Sequence, residues 1–243
     1  MAIPSSWSAS FDLADCHHLA KHPGRQAEVG IIDLSVPIRS GMPVYPGDPE
    51  VTVRPALTAA VDGVNVLHLD MGSQTGTHVD APRHIDDSLP ALDELPLERF
   101  TGPGVVIDAR EVGAGGAIGR EFFEGRVAAG QIVLIATGWS AHWGTHAYLN
   151  HPHLTVAAAE YLVAAGVRTI GIDALSVDPT PAVEIPVHRI MCGAHAVIAE
   201  NLTGLDLALT AQSAGQRMEV SLFPLNVPGA DGAPVRAVAC TGL

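Results

Sequence analysis

Short apolar runs along the chain predict a series of buried strands. They occupy residues 29–35, 104–108, 131–137, 169–173 and 194–199. Before the fourth run, residues 155–165 begin with a threonine suited to cap a helix and continue with amphipathic spacing. Strand, helix and strand in this order predict a right-handed βαβ crossover within one sheet. The hydrophobic pattern therefore predicts an α/β fold.

Weaker patterns predict the remaining elements. Residues 66–71 alternate leucine and methionine with histidine and aspartate, which is the period of a half-buried strand. Residues 122–127 predict a short helix, and residues 1–28 lack clear periodicity apart from one short helix near residues 11–21. We predict an N-terminal arm over residues 1–28 and a single domain over residues 29–243.

The strand at residues 66–71 leads into the stretch that concentrates polar chemistry. Gln74, His78, Asp80 and His84 lie there among glycine, threonine and proline, which disfavour a helix. In an extended segment, His78 and Asp80 point the same way because they are two residues apart. An imidazole and a carboxylate aimed at one point are a natural start for a divalent metal site.

Each of these side chains also has an ordinary structural interpretation. A histidine can cap a turn, an aspartate can form an Asx-turn before a proline, and a histidine can simply face solvent. The four residues together nevertheless favour a functional site over these separate roles. Further along, Glu200 closes an apolar strand, and it is either the exposed end of that strand or a carboxylate in a cleft; His188 leaves the same two alternatives open.

Aromatic residues occupy two positions where a ligand could contact them. Tyr45 lies on a proline-rich loop and either covers the core or forms a wall for a flat substrate. Trp139 and Trp143 follow the strand at residues 131–137, at the end where α/β sheets tend to bind ligands, although packing explains tryptophans there equally well.

Composition excludes several classes of partner. Hydrophobic residues make up 47% and charged residues 16% of the 243 residues, which argues against disorder. The 13 Lys+Arg against 26 Asp+Glu give a formal charge of -13, which disfavours nucleic acids and anionic membranes. No apolar run of about eighteen residues predicts a membrane span. The cysteines Cys16, Cys192 and Cys240 are few and far apart and no signal-peptide pattern is present, which predicts a reducing cytoplasm.

The polar residues together resemble the metal-dependent cyclase family that includes bacterial kynurenine formamidase and isatin hydrolase. The matching pattern is Gln74-x-Gly76-Thr77-His78-x-Asp80-x-Pro82-x-His84, followed by Pro186-x-His188 and Glu200-Asn201-Leu202. With further matches elsewhere, among them residues 171–178 and 232–236, the resemblance covers roughly residues 30–240.

The resemblance implies a fold, an assembly and a set of roles. The fold is a swivelling α/β domain with a mixed central sheet flanked by helices, and the assembly is a homodimer or larger homo-oligomer. One metal ion would be bound by the residue at position 74, His78 and Asp80. A second ion would be bound by Asp80 and His188, and Glu200 would bridge the two ions. His84 would be the catalytic acid/base, and Tyr45 would contact the substrate.

Gln74 departs from the family pattern, which usually has histidine there. A glutamine amide oxygen is neutral and hard, so it weakens zinc binding. It favours binding of manganese or magnesium, or of one ion instead of two. We therefore expect a divalent metal, zinc or manganese, with one or two ions per chain.

The predicted function is metal-dependent hydrolysis of a small amide, cyclic amide or lactone. A bound metal lowers the pKa of water and polarises a carbonyl, while His84 moves the proton. Tyr45 and Trp139 would supply apolar walls for an aromatic substrate. One alternative is a lyase or cyclase that works through an enolate, and another is a catalytically silent binding protein in which Gln74 marks a decayed site.

Overall fold

The computed structural model describes residues 30–181 and 184–242. The predicted arm and its helix lie outside these residues, so the division into an arm and one domain stays a prediction. The strands are β1 Gly30–Asp33, β2 Thr52–Leu57, β3 Val66–Asp70, β4 His78–Asp80, β5 Thr101–Asp108, β6 Ala117–Ile118, β7 Ile132–Ala136, β8 His153–Leu154, β9 Thr169–Ile172, β10 Val197–Glu200, β11 Met218–Ser221, β12 Gly232–Pro234 and β13 Val238–Thr241. The α-helices are α1 Ala59–Asp62, α2 Val156–Ala164, α3 Pro186–Gly193 and α4 Leu205–Ser213.

Within the described residues, the main element is one mixed sheet of nine strands, in the order β1-β13-β11-β5-β7-β9-β10-β4-β12. Neighbours among β5, β7, β9 and β10 are parallel, whereas the strands on either side of this group pair antiparallel. The predicted α/β fold with a mixed central sheet flanked by helices is confirmed. As the predicted crossover requires, α2 lies between the parallel neighbours β7 and β9 in the chain.

Hydrophobic layers cover both faces of this sheet. Val133 and Ile135 of β7 belong to the layer that packs against α2 and α3. Ile132 and Leu134, the alternate residues of the same strand, belong to the layer that packs against α4. Burial on both faces explains why this strand is a continuous apolar run and does not alternate.

Three predicted elements differ from the structure. A buried strand was predicted at residues 29–35, but β1 is an edge strand that pairs with β13. Its side chains therefore alternate in exposure, and Ile31 is 72% exposed. The strand over residues 66–71 was predicted to be half buried, but among the residues that the structure describes β3 pairs only with β2, in a separate hairpin, and its residues are exposed. The helix predicted at residues 122–127 is wrong: a 3₁₀ turn at Arg120–Phe122 ends before Gly125, whose φ of 69° is left-handed.

No helix among residues 30–181 and 184–242 combines the length and apolar character needed to cross a bilayer.

The central sheet should dominate stability. Leu134 is fully buried in β7, so Leu134→Ala should lower the free energy of unfolding by about 2–5 kcal/mol, through lost burial and the cavity left behind. Leu207→Ala is the matched control, because Leu207 on α4 is 57% exposed and its loss should change stability by less than about 0.5 kcal/mol. Denaturant unfolding measures both; equal effects would contradict this placement of the core.

Candidate metal centre and active site

The pairing of β4 with β10 places three potential metal ligands on one face of the sheet. Glu200 lies directly opposite His78 in this antiparallel pair, and Asp80 is two residues beyond His78 on the same strand. Opposed residues share a face, as do residues two apart, so the three side chains point the same way. All are buried, with 3%, 1% and 5% of His78, Asp80 and Glu200 exposed. Glu200 therefore lies in a cleft and is not an exposed strand end.

His188 reaches the same point from the first turn of α3. Pro186 begins that helix, and both carboxylate oxygens of Asp178 accept hydrogen bonds from the backbone N–H groups of Val187 and His188, at 3.0 and 2.9 Å. Asp178 Oδ2 also lies 2.7 Å from Nδ1 of His188. One buried carboxylate thus caps the helix and fixes the imidazole, turning Nε2 towards the other ligands.

The facing atoms have the spacing of a metal's first coordination shell. His78 Nε2 lies 3.5 Å from Asp80 Oδ1 and 3.8 Å from Glu200 Oε2. His188 Nε2 lies 3.7 Å from Asp80 Oδ2 and 3.3 Å from Glu200 Oε1. Ligands bound at about 2.0–2.2 Å around a tetrahedral ion lie about 3.3–3.6 Å from one another. Both oxygens of Asp80 are buried without a hydrogen-bond partner among the described residues, which fits them to a cation.

The carboxylate and imidazole groups here also affect one another's protonation. Burial alone would raise the pKa of Asp80, but the nearby charges of His84, His78 and His188 outweigh burial and lower it. Burial likewise opposes a charge on His188, yet its hydrogen bond to Asp178 and the nearby carboxylates of Asp80 and Glu200 raise its pKa well above the usual value. The ionised form of Asp80 is therefore favoured, which is the form that binds a metal ion.

A buried hydrogen-bond chain orients His78. Its Nδ1 lies 2.8 Å from the carbonyl of Gly76, which also accepts from Nδ2 of Asn201 at 3.0 Å. Asn201 Oδ1 in turn accepts from the hydroxyl of Tyr148 at 2.9 Å. Gly76 has a φ of 63°, so this turn of the chain favours glycine. This series of hydrogen bonds turns Nε2 of His78 towards the other candidate ligands.

A cavity of about 230 Å³ opens onto these ligands. His84 and Gln74 line it beside the four ligand candidates, while Tyr45 and Leu175 are among its apolar walls. Nε2 of Gln74 lies 3.1 Å from Nδ1 of His84 and 2.9 Å from Oδ2 of Asp231. The site therefore combines a buried anionic cluster, a histidine beside it and space for a small ligand.

Comparison with known proteins identifies the family of this chain. The Cyclase family model matches residues 32–179. The chain belongs to the Cyclase family. Kynurenine formamidase of Salinibacter ruber is 34% identical over 219 residues, covering 86% of this chain and 97% of its own.

Two solved structures of hydrolases have a similar fold. Isatin hydrolase A from Ralstonia solanacearum has a TM-score of 0.76 at 25% identity, covering 87% of this chain and 92% of its own. A structure described as a predicted metal-dependent hydrolase from Bacillus stearothermophilus has a TM-score of 0.70 at 27% identity, covering 88% and 99%. The resemblance read from the sequence is confirmed.

The structure brings together most, but not all, of the residues singled out in the sequence. His78, Asp80, His84, His188, Glu200, Gln74 and Tyr45 line one cavity. Trp139 does not line it: its ring belongs to the core beneath α2, and its indole N–H donates to the carbonyls of Ala147 and Tyr148, both at 3.3 Å. Its position after β7 reflects packing, so the prediction of Trp139 as a substrate wall is withdrawn.

Sequence reasoning missed Asp178 and Asp231. Asp178 lies in the family-like stretch at residues 171–178, so its position was a signal whose role was not assigned. Asp231 immediately precedes the Gly232-Ala233-Pro234 segment, which also matched, but only the fold shows that it contacts the Gln74 side chain.

Asp178 provides a test of how His188 is held. Asp178→Asn should lower metal affinity by about 10–100-fold, because it removes the charge that orients and polarises His188. Asp206→Asn is the matched control, since Asp206 lies exposed in the first turn of α4. Equilibrium dialysis with manganese and zinc measures both. Unchanged affinity in Asp178→Asn would show that this carboxylate does not support a ligand.

Proposed function

We propose that this protein is a metal-dependent hydrolase that cleaves the C–N bond of a small amide, with an N-formyl arylamine or a cyclic aryl amide as the substrate class. The observation that carries the proposal is the buried Asp80 carboxylate, which lacks hydrogen-bond partners among the described residues and faces His78, His188 and Glu200 beside an accessible cavity. The names of the formamidase and isatin hydrolase relatives support the same reaction class.

His78, Asp80, His188 and Glu200 would hold the metal, and the buried oxygen of Gln74 is a further candidate ligand. A divalent ion in this position supplies a Lewis acid that polarises a carbonyl and lowers the pKa of water. Two imidazoles and two carboxylates suit zinc or manganese, and Gln74 favours manganese because its amide oxygen is a hard ligand. We propose one or two ions per chain.

The other cavity residues would bind and orient the substrate. His84 is about a third exposed and lies beside the ligands, with its ring 5.9 Å from that of His188, so we propose it as the acid/base group. Tyr45 and Leu175 offer apolar surface to an aromatic ring. The cavity of about 230 Å³ is smaller than a typical drug-sized pocket, which supports a single-ring substrate.

Assembly and compartment are further parts of this proposal. The β2–β3 hairpin leaves Leu67 and Leu69 61% and 51% exposed, which supports a homo-oligomer in which another copy covers them. Cys192 and Cys240 are free thiols, which supports a reducing cytoplasm.

Metal removal tests the function directly. Exhaustive chelation should abolish hydrolysis of formyl-anilides and isatin-like lactams, and added manganese or zinc should restore it. Product mass identifies the reaction, because hydrolysis adds water whereas a lyase or cyclase does not. Full turnover by a verified metal-free preparation would overturn the proposal.

Two variants separate metal binding from proton transfer. Asp80→Asn should lose both metal and rate, while His84→Ala should lose rate and keep metal.

Gln74 tests the identity of the metal. Gln74→His should raise zinc affinity more than manganese affinity, because imidazole is the better zinc ligand. Gln74→Leu is the control that removes the amide without supplying a new ligand. If the zinc affinity is the same in all three proteins, and the manganese affinity is too, Gln74 lies outside the coordination shell.

A further inference from the structure

Asp48 is a carboxylate on the cavity wall to which the proposed reaction gives no role. Asp80 and Glu200, the other carboxylates among the described residues that line the cavity, are candidate metal ligands. Asp48 is partly buried, and its side chain has no hydrogen bond or ion pair within the part of the chain that the structure describes. A carboxylate that loses hydration without gaining a partner is costly. A donor or a positive charge from a bound molecule would compensate it.

A tight turn fixes the position of Asp48. Its N–H donates to the carbonyl of Tyr45 at 3.0 Å, which closes the four-residue turn Tyr45-Pro46-Gly47-Asp48. Proline in the second position and a glycine with a φ of 107° in the third are typical of a type II turn. Tyr45 packs in part against the hydrophobic layer beneath α2. The turn therefore holds an aromatic ring and a carboxylate together on one wall of the cavity.

The charges of the cavity leave Asp48 uncompensated. Burial raises the pKa of Asp48, and the charges of His78 and His84 act in the opposite direction, so the carboxylate lies within electrostatic reach of the ligand cluster. No lysine or arginine is found among the described residues that line the cavity. A divalent ion on the four candidate ligands would compensate Asp80 and Glu200. Asp48 would then be the remaining negative charge on the wall.

An aromatic ring beside a carboxylate suits a cationic group. An ammonium group donates charge-assisted hydrogen bonds to a carboxylate, and the face of a tyrosine ring attracts a cation that comes within about 6 Å of its centroid. An apolar substituent in the same place would remove water from Asp48 without replacing it. An anionic substituent would in addition be repelled by the carboxylate.

We propose that Asp48, together with Tyr45, is a specificity-determining residue that selects aromatic amides carrying a cationic substituent, such as a primary ammonium group. The substituent lies on the part of the substrate that is not cleaved, and Asp48 accepts its hydrogen bond. The inference rests on the proposed hydrolase function and narrows its substrate class. One hydrogen bond between charged groups changes relative affinity by about tenfold or more.

Kinetics with matched substrates test the role of Asp48. Two formanilides carry either an aminomethyl or an ethyl group at the same ring position, so they differ in charge and hardly in shape. Because burial raises the pKa of Asp48, the assays are run at about pH 7.5, well above the usual aspartate pKa of about 3.9. In Asp48→Asn, kcat/KM for the aminomethyl substrate relative to the ethyl substrate should fall about tenfold.

Glu50→Gln is the matched control, because it removes one charge from the same loop at an exposed residue that does not line the cavity. The substrate ratio should change there by less than about twofold, since solvent screens an exposed charge. Metal content should be the same in all three proteins. A ratio that is unchanged in Asp48→Asn, or that falls equally in both variants, would overturn the inference. Loss of metal from Asp48→Asn would also overturn it, because Asp48 would then be a ligand.

Binding provides a readout that does not depend on turnover. Calorimetry on manganese-loaded protein compares the two anilines that correspond to these substrates, one with the aminomethyl and one with the ethyl group. The unmodified protein should bind the aminomethyl aniline more tightly, and Asp48→Asn should lose this preference whereas Glu50→Gln keeps it. If neither formanilide is hydrolysed, the proposed function fails. Equal binding of the two anilines by the unmodified protein would instead overturn the role of Asp48.

Discussion

The carboxylate of Asp80 has both oxygens buried and without a hydrogen-bond partner among the described residues. A buried charge in this state is costly unless a counter-charge compensates it. The nearest groups are the imidazoles of His78 and His188, but Glu200 adds a second carboxylate to the same cluster. A cation that contacts all four side chains, as proposed above, would compensate both carboxylates, and the surrounding hydrogen bonds would then orient the side chains towards it.

The sheet supplies the rigidity that such a cluster needs. The four parallel strands end at β10, and β4 joins them as the first antiparallel strand on that side. His78 and Glu200 are opposed at this junction, so a slip of one residue in the pairing would send one of them to the other face of the sheet. Apolar layers on both faces fix the central strands and thereby the ligand positions.

Local sequence patterns predicted part of this site. The two-residue spacing of His78 and Asp80 on an extended segment was sufficient to place both side chains together, and the apolar run at residues 131–137 was sufficient for β7. The exposure of β1 and of the β2–β3 hairpin was not predictable, because it depends on which strands lie beside them and not on their own composition. The partnership of Gln74 with Asp231 spans 157 residues, and no local period reports a contact of that separation.

The position of β4 also has a consequence for truncated forms of the protein. β12 is its second neighbour, and Gly232 of β12 pairs with Asp80. A variant truncated before β12 would leave β4 with one unpaired edge, and an unpaired edge is a template for pairing with another chain. The strand that carries His78 and Asp80 is therefore also a place where an incomplete protein would aggregate.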